Sequence, residues 1–290
     1  MITETRCLIC GQETAAGQRG IVAPFLARRV WNRNAFLAEY RHCDGCSFGY
    51  FSPRMEPAEE ERLYAGYRDQ KYVHERHSTE PWYTAKLNNS FDSPDTLEAR
   101  RKVLQQIFAQ HLPGDSKKVL DFGGDRGELI QAVFPRAEKF VYEISGVPPL
   151  EGIRSVSLAE GAQIGFDLII CSNVLEHVAY PNQLLHQIDS LAQPDTFVFL
   201  EVPIEAPHDA RTVAKRLAQE AVLLLMRPSL AISLLKLRST CVMHEHLNFF
   251  SLPALQQLAA SIHSWKEIAS GRYEPFVATA SPTAWVLLRT

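Results

Sequence analysis

The stretch from Val119 to Ile130 constrains this chain most, because it joins a buried strand, a glycine-rich turn and the start of a helix. The residues Val-Leu-Asp-Phe are typical of a parallel strand with both faces covered. Gly123, Gly124 and Gly127 remove side chains where the backbone bends sharply and where a ligand can lie against it. Amide groups at the start of the following helix point into the same crevice, outside the carboxyl end of the strand. The stretch therefore predicts a site for a nucleotide-like ligand.

The spacing of the glycines narrows the kind of ligand. The dinucleotide pattern G-x-G-x-x-G is not met, since Gly123 is followed by Gly-Asp-Arg-Gly. Asp121 lies two residues before the first glycine and suits a cationic or hydroxyl-bearing ligand better than a pyrophosphate. The segment resembles motif I of the class I S-adenosylmethionine (SAM)-dependent methyltransferases, acid-x-Gly-x-Gly-x-Gly, with Asp125 in the place of the middle glycine. This resemblance implies SAM bound over Asp121 and the three glycines.

Two later strands end in further candidate cofactor ligands. Glu143 lies near the end of the second strand, about twenty residues after the turn, where a carboxylate can accept hydrogen bonds from both ribose hydroxyls of an adenosine. The alternative for Glu143 is an acid that caps a loop. The buried strand that begins at Phe166 leads into Asn173-Val-Leu-Glu-His177, which resembles the fourth-strand motif of the same class. Asn173 is then a candidate cofactor ligand, and His177 is a candidate base or a structural histidine.

Hydrophobic strands that alternate with helical stretches favour an α/β fold with a doubly wound, mainly parallel sheet, Rossmann-like by the resemblance. We expect a zinc-binding module at 1–55, an aromatic-rich linker or lid at 56–95, and a SAM-dependent methyltransferase domain at 96–290. A short helix is expected after Pro57, and the tyrosines and histidines beyond it are interpreted as a loop or lid over a polar ligand such as a sugar. Docking of the zinc module is the alternative. A helical insertion is expected at about 207–240.

Two C-x-x-C pairs in the first segment predict a structural zinc site. They supply four thiolates, which a closed tetrahedral zinc site requires and which leave no open position for catalysis. The four cysteines are Cys7, Cys10, Cys43 and Cys46. Gly11 and Gly45 are expected in the tight turns of the two pairs.

A histidine-rich segment near residue 245 contains the first candidate for a catalytic base. Glu245 precedes His246, and a histidine oriented by a carboxylate is a good general base. Together with the cysteine pairs, the tyrosine-rich segment and Leu-Glu-His177, this order resembles the zinc-containing sugar C-methyltransferase branch of the SAM enzymes. The resemblance implies a base formed by Glu245 and His246, with His177 as second candidate, and a sugar, nucleotide-linked sugar or similar polar small metabolite as acceptor. The branch has a tyrosine at the position of Met243 and a further C-terminal domain, which this chain is expected to lack.

Composition and charge limit the partners. The net charge of −3 and the isoelectric point near 6.4 do not favour nucleic acid. No apolar signal-peptide core or run of 18 apolar residues is found, so a cytoplasmic location is expected. Segment 211–238 combines leucines with basic residues, and such a surface can contact a membrane peripherally or a lipid-linked acceptor. A helical lid or a dimer contact is favoured instead.

The predicted enzyme is a SAM-dependent methyltransferase with SAM and structural Zn²⁺ as cofactors. Two other functions fit part of the sequence. An RNA methyltransferase would use the zinc module for its nucleic acid, but the net negative charge opposes this. A SAM-binding scaffold that has lost its chemistry is supported by Asp125 in the glycine-rich turn.

Overall fold

The computed structural model describes residues 2–15, 17–67, 69–90, 93–208, 210–237, 239–274 and 281–290. Of residues 89, 90, 210, 211 and 233 it describes the backbone alone. Arg238, a basic residue of the predicted insertion, lies outside the described residues. The chain divides into two compact units. Unit 1 contains Met1–Ser90 and Glu205–Phe249, and unit 2 contains Phe91–Ile204 and Phe250–Thr290.

The strands are β1 Gln18–Val22, β2 Leu37–Cys43, β3 Phe48–Ser52, β4 Lys118–Phe122, β5 Glu138–Tyr142, β6 Ile153–Ser155, β7 Leu168–Ser172, β8 Phe197–Pro203, β9 Cys241–Met243, β10 Asn248–Phe249, β11 Lys266–Tyr273 and β12 Thr283–Arg289. The helices are α1 Pro24–Trp31, α2 Pro57–Tyr64, α3 Gln70–Thr79, α4 Ala85–Ser90, α5 Pro94–His111, α6 Glu128–Val133, α7 Leu158–Gly161, α8 Pro181–Leu191, α9 Ala210–Met226, α10 Pro228–Leu235 and α11 Leu252–Ala259.

Unit 2 is built on a seven-stranded sheet in the order β11-β12-β8-β7-β4-β5-β6. The pairs from β8 to β6 are parallel, whereas β12 runs antiparallel to β8 and β11 antiparallel to β12. This arrangement confirms the predicted α/β fold with a mainly parallel sheet. From β4 the chain proceeds to β5 and β6 on one side and then to β7 and β8 on the other. The order therefore reverses between β4 and β7, and such a switch point opens a crevice outside the carboxyl ends of the strands.

The core of unit 2 holds these strand ends in place. Leu104 and Phe108 of α5 pack with β-branched and aromatic side chains of the sheet, among them Val119 and Phe199. Helix α5 begins after Ser93, whose hydroxyl accepts a hydrogen bond from the amide of the third helical residue. Its N-terminal Pro94 cannot donate a backbone hydrogen bond and loses nothing in this position.

Unit 1 contains a five-stranded sheet in the order β10-β3-β2-β1-β9. Strand β9 pairs parallel with β1, and β10 pairs antiparallel with β3, although about two hundred residues separate these partners in sequence. Arg54, fully buried, donates hydrogen bonds to the Leu247 carbonyl at 3.1 Å and to Asn248 Oδ1 at 2.7 Å. Residues near 245 are therefore integral to the fold of unit 1.

The interpretation of the tyrosine-rich segment as a loop is wrong for most of it. Residues Gln70–Thr79 form α3, which begins after Asp69 because its carboxylate accepts a hydrogen bond of 2.7 Å from the Tyr72 amide. The buried face of α3 consists of Tyr72, Arg76 and Thr79. Only one of these carries a large aromatic group and none is aliphatic, so the helix has no apolar periodicity that a sequence pattern would reveal.

The predicted helical insertion forms α9 and α10, which meet at Pro228. A proline fits the first turn of a helix but breaks the interior, and this explains why one helix ends and the next begins there. Among the described residues, no helix is both long and apolar enough to cross a membrane.

Candidate active site and metal centre

The turn between β4 and α6 has three residues in the left-handed region. The φ angles are +74° at Gly123, +53° at Asp125 and +84° at Gly127. Aspartate is among the few residues other than glycine that adopt this conformation readily. Asp125 therefore keeps the backbone path that a glycine would give at this position.

The three glycines of the turn are required by neighbouring side chains. A Cβ atom at Gly124 would lie 2.2 Å from Asp121 Cγ, one at Gly123 would lie 2.7 Å from Val174, and one at Gly127 would lie 2.5 Å from Ile153. These separations are far below van der Waals contact. The absence of these side chains lets the turn pack against Asp121 of β4, Ile153 of β6 and Val174 after β7. It also leaves the backbone accessible.

Asp121 is buried in β4 directly before this turn, with 2% of its surface exposed. Burial raises the pKa of its carboxyl group from 3.8 to about 7, an effect that the charge of Arg100 opposes and that of Glu143 reinforces. A cation placed nearby would favour the ionised form. The carboxylate thus suits a positively charged ligand.

A polar cluster at the ends of β7 and β8 was not expected from the sequence. Arg100 Nη2 on α5 donates hydrogen bonds to Glu201 Oε1 at 2.7 Å and to Ser172 Oγ at 2.6 Å. The Ser172 hydroxyl donates to the same carboxylate oxygen at 2.7 Å. Glu201 is fully buried. Tyr273 forms a hydrogen bond with it, and the burial of Tyr273 raises the pKa of its own hydroxyl group. Only an acid within an apolar strand signals this cluster in the sequence, and its partners lie far away along the chain.

Glu143 follows β5 directly, and its carboxylate is held at both oxygens. Oε2 accepts from the Asp125 amide at 3.1 Å, and Oε1 accepts from the Ser145 amide at 2.8 Å. Each carboxylate oxygen has a second lone pair, so both can also accept from vicinal hydroxyls of a ligand.

Asn173 and His177 lie just beyond the carboxyl end of β7, the strand that neighbours β4 at the switch point. Asn173 follows β7 with a φ of +55°, and its amide donates to the Glu201 carbonyl at 2.9 Å. Glu176 is buried, and its Oε1 lies 4.0 Å from His177 Nε2. Unit 2 thus brings together the candidate cofactor residues Asp121, Gly123, Gly124, Gly127, Glu143 and Asn173 on the carboxyl side of β4, β5 and β7.

The other candidate base, His246, lies in unit 1 between β9 and β10. Its Nδ1 is 2.7 Å from Glu205 Oε2. A ring that donates Nδ1–H to a carboxylate has its lone pair on Nε2, which is the arrangement of a general base. Glu205, 41 residues earlier in the chain, was missed because nothing in the local sequence connects it with His246.

Glu245 belongs to a neighbouring buried network of charges. Its carboxylate accepts hydrogen bonds from the Tyr72 hydroxyl and from Arg76 Nη1, the latter at 2.7 Å. Arg76 Nε also donates to Glu80 at 2.8 Å. Burial opposes ionisation of Glu80, but His244 and Arg76 bring its pKa below the ordinary value.

His244 differs from His246 because both of its ring nitrogens are engaged. Nε2 lies 2.9 Å from Glu80 Oε1, and Nδ1 lies 3.4 Å from Arg76 Nη2. Arginine can only donate, so in a hydrogen bond between Arg76 and His244 the ring nitrogen is the acceptor. Glu80 and Arg76 occupy the two ring nitrogens, so His244 has no free nitrogen that could remove a proton from a substrate.

The four predicted zinc ligands come together in unit 1. The sulfur atoms of Cys7, Cys10, Cys43 and Cys46 all lie within 4.8 Å of one another. The Cys7–Cys46 and Cys10–Cys43 Sγ distances are both 3.5 Å, and no disulfide links them. Tetrahedral zinc with Zn–S bonds of about 2.3 Å holds sulfurs roughly 3.8 Å apart, so the donor set fits this metal.

The two cysteine pairs form equivalent turns, and Gly45 lies within the second turn as expected. Gly11 follows Cys10 with a φ of +71°, and Ser47 follows Cys46 with a φ of +57°. The amide of each donates to the carbonyl of the first cysteine of its pair, at 3.0 and 2.8 Å. Gly45 has no positive φ, and its lack of a side chain instead makes room for Gln12, whose Oε1 would lie 2.1 Å from a Cβ.

A comparison with known protein families identifies the family of the chain. Residues 96–262, more than half of the chain, match the family described as a methyltransferase domain. The chain belongs to this methyltransferase family. The predicted enzyme class, a SAM-dependent methyltransferase, is thereby confirmed. A comparison with curated proteins found no match.

Solved structures share the fold. The chain is similar to the Burkholderia thailandensis 1,6-didemethyltoxoflavin-N1-methyltransferase, a structure with bound 1,6-didemethyltoxoflavin and S-adenosylhomocysteine (SAH), with a TM-score of 0.52 and 15% identity over 87% of this chain and 95% of that one. It also matches the plantazolicin methyltransferase BpumL in complex with SAH, with a TM-score of 0.45 and 11% identity over 80% and 97% of the two chains. At these identities the likeness concerns the fold alone.

Proposed function

We propose that this methyltransferase binds SAM at the carboxyl ends of β4, β5 and β7 and transfers its methyl group to a sugar, a nucleotide-linked sugar or a similar polar small metabolite. The observation that carries the proposal is the turn after β4. It lies at the switch point of a methyltransferase-family sheet, with a buried carboxylate before it and a second carboxylate beside it.

The residues of this crevice fit SAM chemically. Asp121 is a buried acid whose ionised form a sulfonium or ammonium group would favour. Glu143 is oriented by two backbone amides, with lone pairs left for the two ribose hydroxyls. The Gly123, Gly124 and Gly127 backbone and Asn173 would line the remainder of the site. SAM supplies a methyl group on a leaving group that is already activated, so no acid is needed for its departure.

The acceptor must lose one proton when it is methylated, and the protein must provide the base. We assign this role to Nε2 of His246, with Glu205 holding Nδ1–H. Glu245 directly precedes His246 in sequence, and its carboxylate binds the Tyr72 hydroxyl and Arg76. We therefore include Glu245 in the same proposal as a positioning residue. His177, beside Glu176, is the second candidate base.

A sugar-like acceptor is supported by two features of unit 1. Its tyrosines and histidines combine apolar rings with polar tips, which suit a ligand with alternating hydroxyl and C–H groups. The order of cysteine pairs, tyrosine-rich segment and Glu-His resembles that of the sugar C-methyltransferases. The zinc ion, held by Cys7, Cys10, Cys43 and Cys46, would stabilise unit 1 without taking part in the reaction.

Formation of SAH tests the proposal. Zinc-loaded protein is incubated with SAM and each member of a panel of nucleotide-linked sugars, and SAH is quantified by mass spectrometry. We expect acceptor-dependent SAH with at least one sugar. His246→Gln should abolish turnover while SAM affinity is unchanged, and Glu205→Gln should lower kcat and shift its pH profile. His263→Gln, which changes an exposed histidine outside the tyrosine-rich segment, is the matched control.

Each failure has a distinct meaning. Full activity in His246→Gln would refute its role as base, and loss of activity in His177→Gln alone would transfer the role to that residue. Acceptor-dependent SAH with RNA and not with sugars, weakening steeply as salt is raised, would replace the sugar by a nucleic acid. SAM binding without turnover on any acceptor would favour a scaffold.

A further inference from the structure

The hairpin of α9 and α10 concentrates exposed apolar side chains. Six of the eleven large hydrophobic residues that are exposed in the described part of the chain belong to it, so the patch is not a random scatter. They are Leu217, Leu224, Leu225, Met226, Ile232 and Leu235. The exposed fraction reaches 85% for Leu225.

The exposed alanine and leucine side chains of α9 form one continuous face. Ala214, Leu217, Ala218, Ala221, Leu224 and Leu225 are all exposed, at spacings of three and four residues. At 3.6 residues per turn they cover an arc of about 120°. The opposite side contains Leu223, which is buried. Helix α9 thus has an inner side that contains the buried Leu223 and an apolar face exposed on the other side, here called the outer face.

The segment that forms the hairpin is rich in positive charge. Residues 211–238 contain six basic residues and one acid, in a chain whose net charge is −3. The acid, Glu220, is paired with Arg216 at 3.3 Å. Lys215, Arg227 and Lys236 are exposed, and none of them forms an ion pair with a residue that the structure describes. Three cations are therefore available to a negatively charged partner.

We propose that the outer face of α9, together with the exposed Ile232 and Leu235 of α10, docks on the anionic surface of a lipid bilayer. Leucine and methionine side chains would enter the boundary between headgroups and acyl chains, and the flanking lysine and arginine side chains would contact anionic headgroups. A second copy of the chain fits less well. A symmetric dimer through this face would bring the same unpaired cations against each other, and like charges oppose association.

Cosedimentation of the zinc-loaded full chain with vesicles tests this proposal. One set of vesicles is phosphatidylcholine alone, and in the other phosphatidylglycerol replaces about a quarter of it. We expect binding to the anionic vesicles at about 0.1 M NaCl and its loss at about 0.5 M, where screening is stronger. Replacing Lys215, Arg227 and Lys236 by glutamine should weaken binding about a hundredfold, since each basic residue near such a surface contributes roughly fivefold.

The apolar part of the proposal has its own variants. Leu224→Gln with Leu225→Gln should weaken binding about tenfold or more, because two leucines can no longer leave water. Leu87→Gln changes an exposed leucine of α4 outside the hairpin and should bind as the unchanged protein does. Circular dichroism verifies that all variants are folded.

Three results would overturn the proposal: no binding to anionic vesicles, equal binding to both kinds of vesicle, or undiminished binding by the double leucine variant. Sedimentation velocity separates the remaining possibility. A dimer in solution that dissociates in the double leucine variant, without vesicle binding by either protein, would assign the outer face to a second copy.

Discussion

Replacing Asp121 by asparagine should change how the stability of unit 2 depends on pH. The carboxyl group is 2% exposed, and burial raises its pKa from 3.8 to about 7. Between these two values the unfolded chain has released the proton and the folded protein has retained it. The free energy of unfolding therefore falls as pH rises and becomes constant above the pKa of the folded state.

The size of this effect follows from the two pKa values. One pKa unit corresponds to about 1.4 kcal/mol, so the carboxyl group lowers the free energy of unfolding by about 3 kcal/mol between about pH 5 and pH 8. Asp121→Asn lacks this titration. Its stability relative to the unchanged protein should consequently rise by the same amount over that range.

Native-state hydrogen exchange at the amides of β4 and β7 measures the stability of unit 2 separately from that of unit 1. Asp115→Asn removes an exposed carboxylate of the same unit and serves as the control for the loss of one negative charge. A difference between Asp121→Asn and the unchanged protein that stays constant within about 0.5 kcal/mol from pH 5 to pH 8 would refute the reasoning. The carboxylate would then be ionised throughout, as in a solvated or paired group.

Three further changes test other parts of the structure. Cys43→Ser should abolish binding of one zinc ion per chain, measured by mass spectrometry of the metal, and should lower the melting temperature of unit 1, whereas retained zinc would contradict the four-sulfur site. Asp125→Gly should raise the free energy of unfolding by about 0.5–1 kcal/mol in denaturant titrations and leave SAM affinity intact, because it removes the cost of a left-handed aspartate; destabilisation would contradict this. Arg76→Met should lower the free energy of unfolding by about 3–5 kcal/mol, because it leaves two buried carboxylates without their common cation. Arg76→Lys should lower it by less. An unchanged free energy of unfolding in Arg76→Met would show that the network contributes nothing to stability.

The residues that we propose to bind SAM come together in the structure, and each belongs to a local pattern that the sequence shows. A strand that runs into a glycine-rich turn places Asp121 and the three glycines together whatever surrounds them. Glu143 follows from its position at the end of the next parallel strand, since the carboxyl ends of such strands share one edge. The sequence does not explain why an aspartate stands in place of the middle glycine. The φ angle of Asp125 explains it, because this angle lies in the left-handed region.

The partners of the charged residues cannot be predicted in this way. Glu205 meets His246 and Arg100 meets Glu201 because the fold brings together segments 41 and 101 residues apart. No periodic pattern in the sequence indicates which of these residues will pair. Helix α3 was missed for a related reason: its buried face carries Tyr72 and Arg76, which are stabilised by hydrogen bonds and charge and not by aliphatic packing.

The sheet of unit 1 illustrates the same limit for backbone pairing. Strands β9 and β10 are too short for a recognisable pattern, and their partners β1 and β3 lie near the other end of the chain. The cysteine pairs were predictable because their spacing alone indicates a metal site.

The most direct test of the central claim is a calorimetric titration of the zinc-loaded protein with SAM. We predict saturable binding by the unchanged protein and by Gly114→Ala, since a Cβ at Gly114 meets nothing within 4 Å. Binding should be lost in Gly124→Ala, whose Cβ would lie 2.2 Å from Asp121 Cγ, and strongly weakened in Glu143→Ala. Absence of SAM binding by folded, unchanged protein, or unaltered affinity in both site variants, would contradict the placement of the cofactor at the turn after β4.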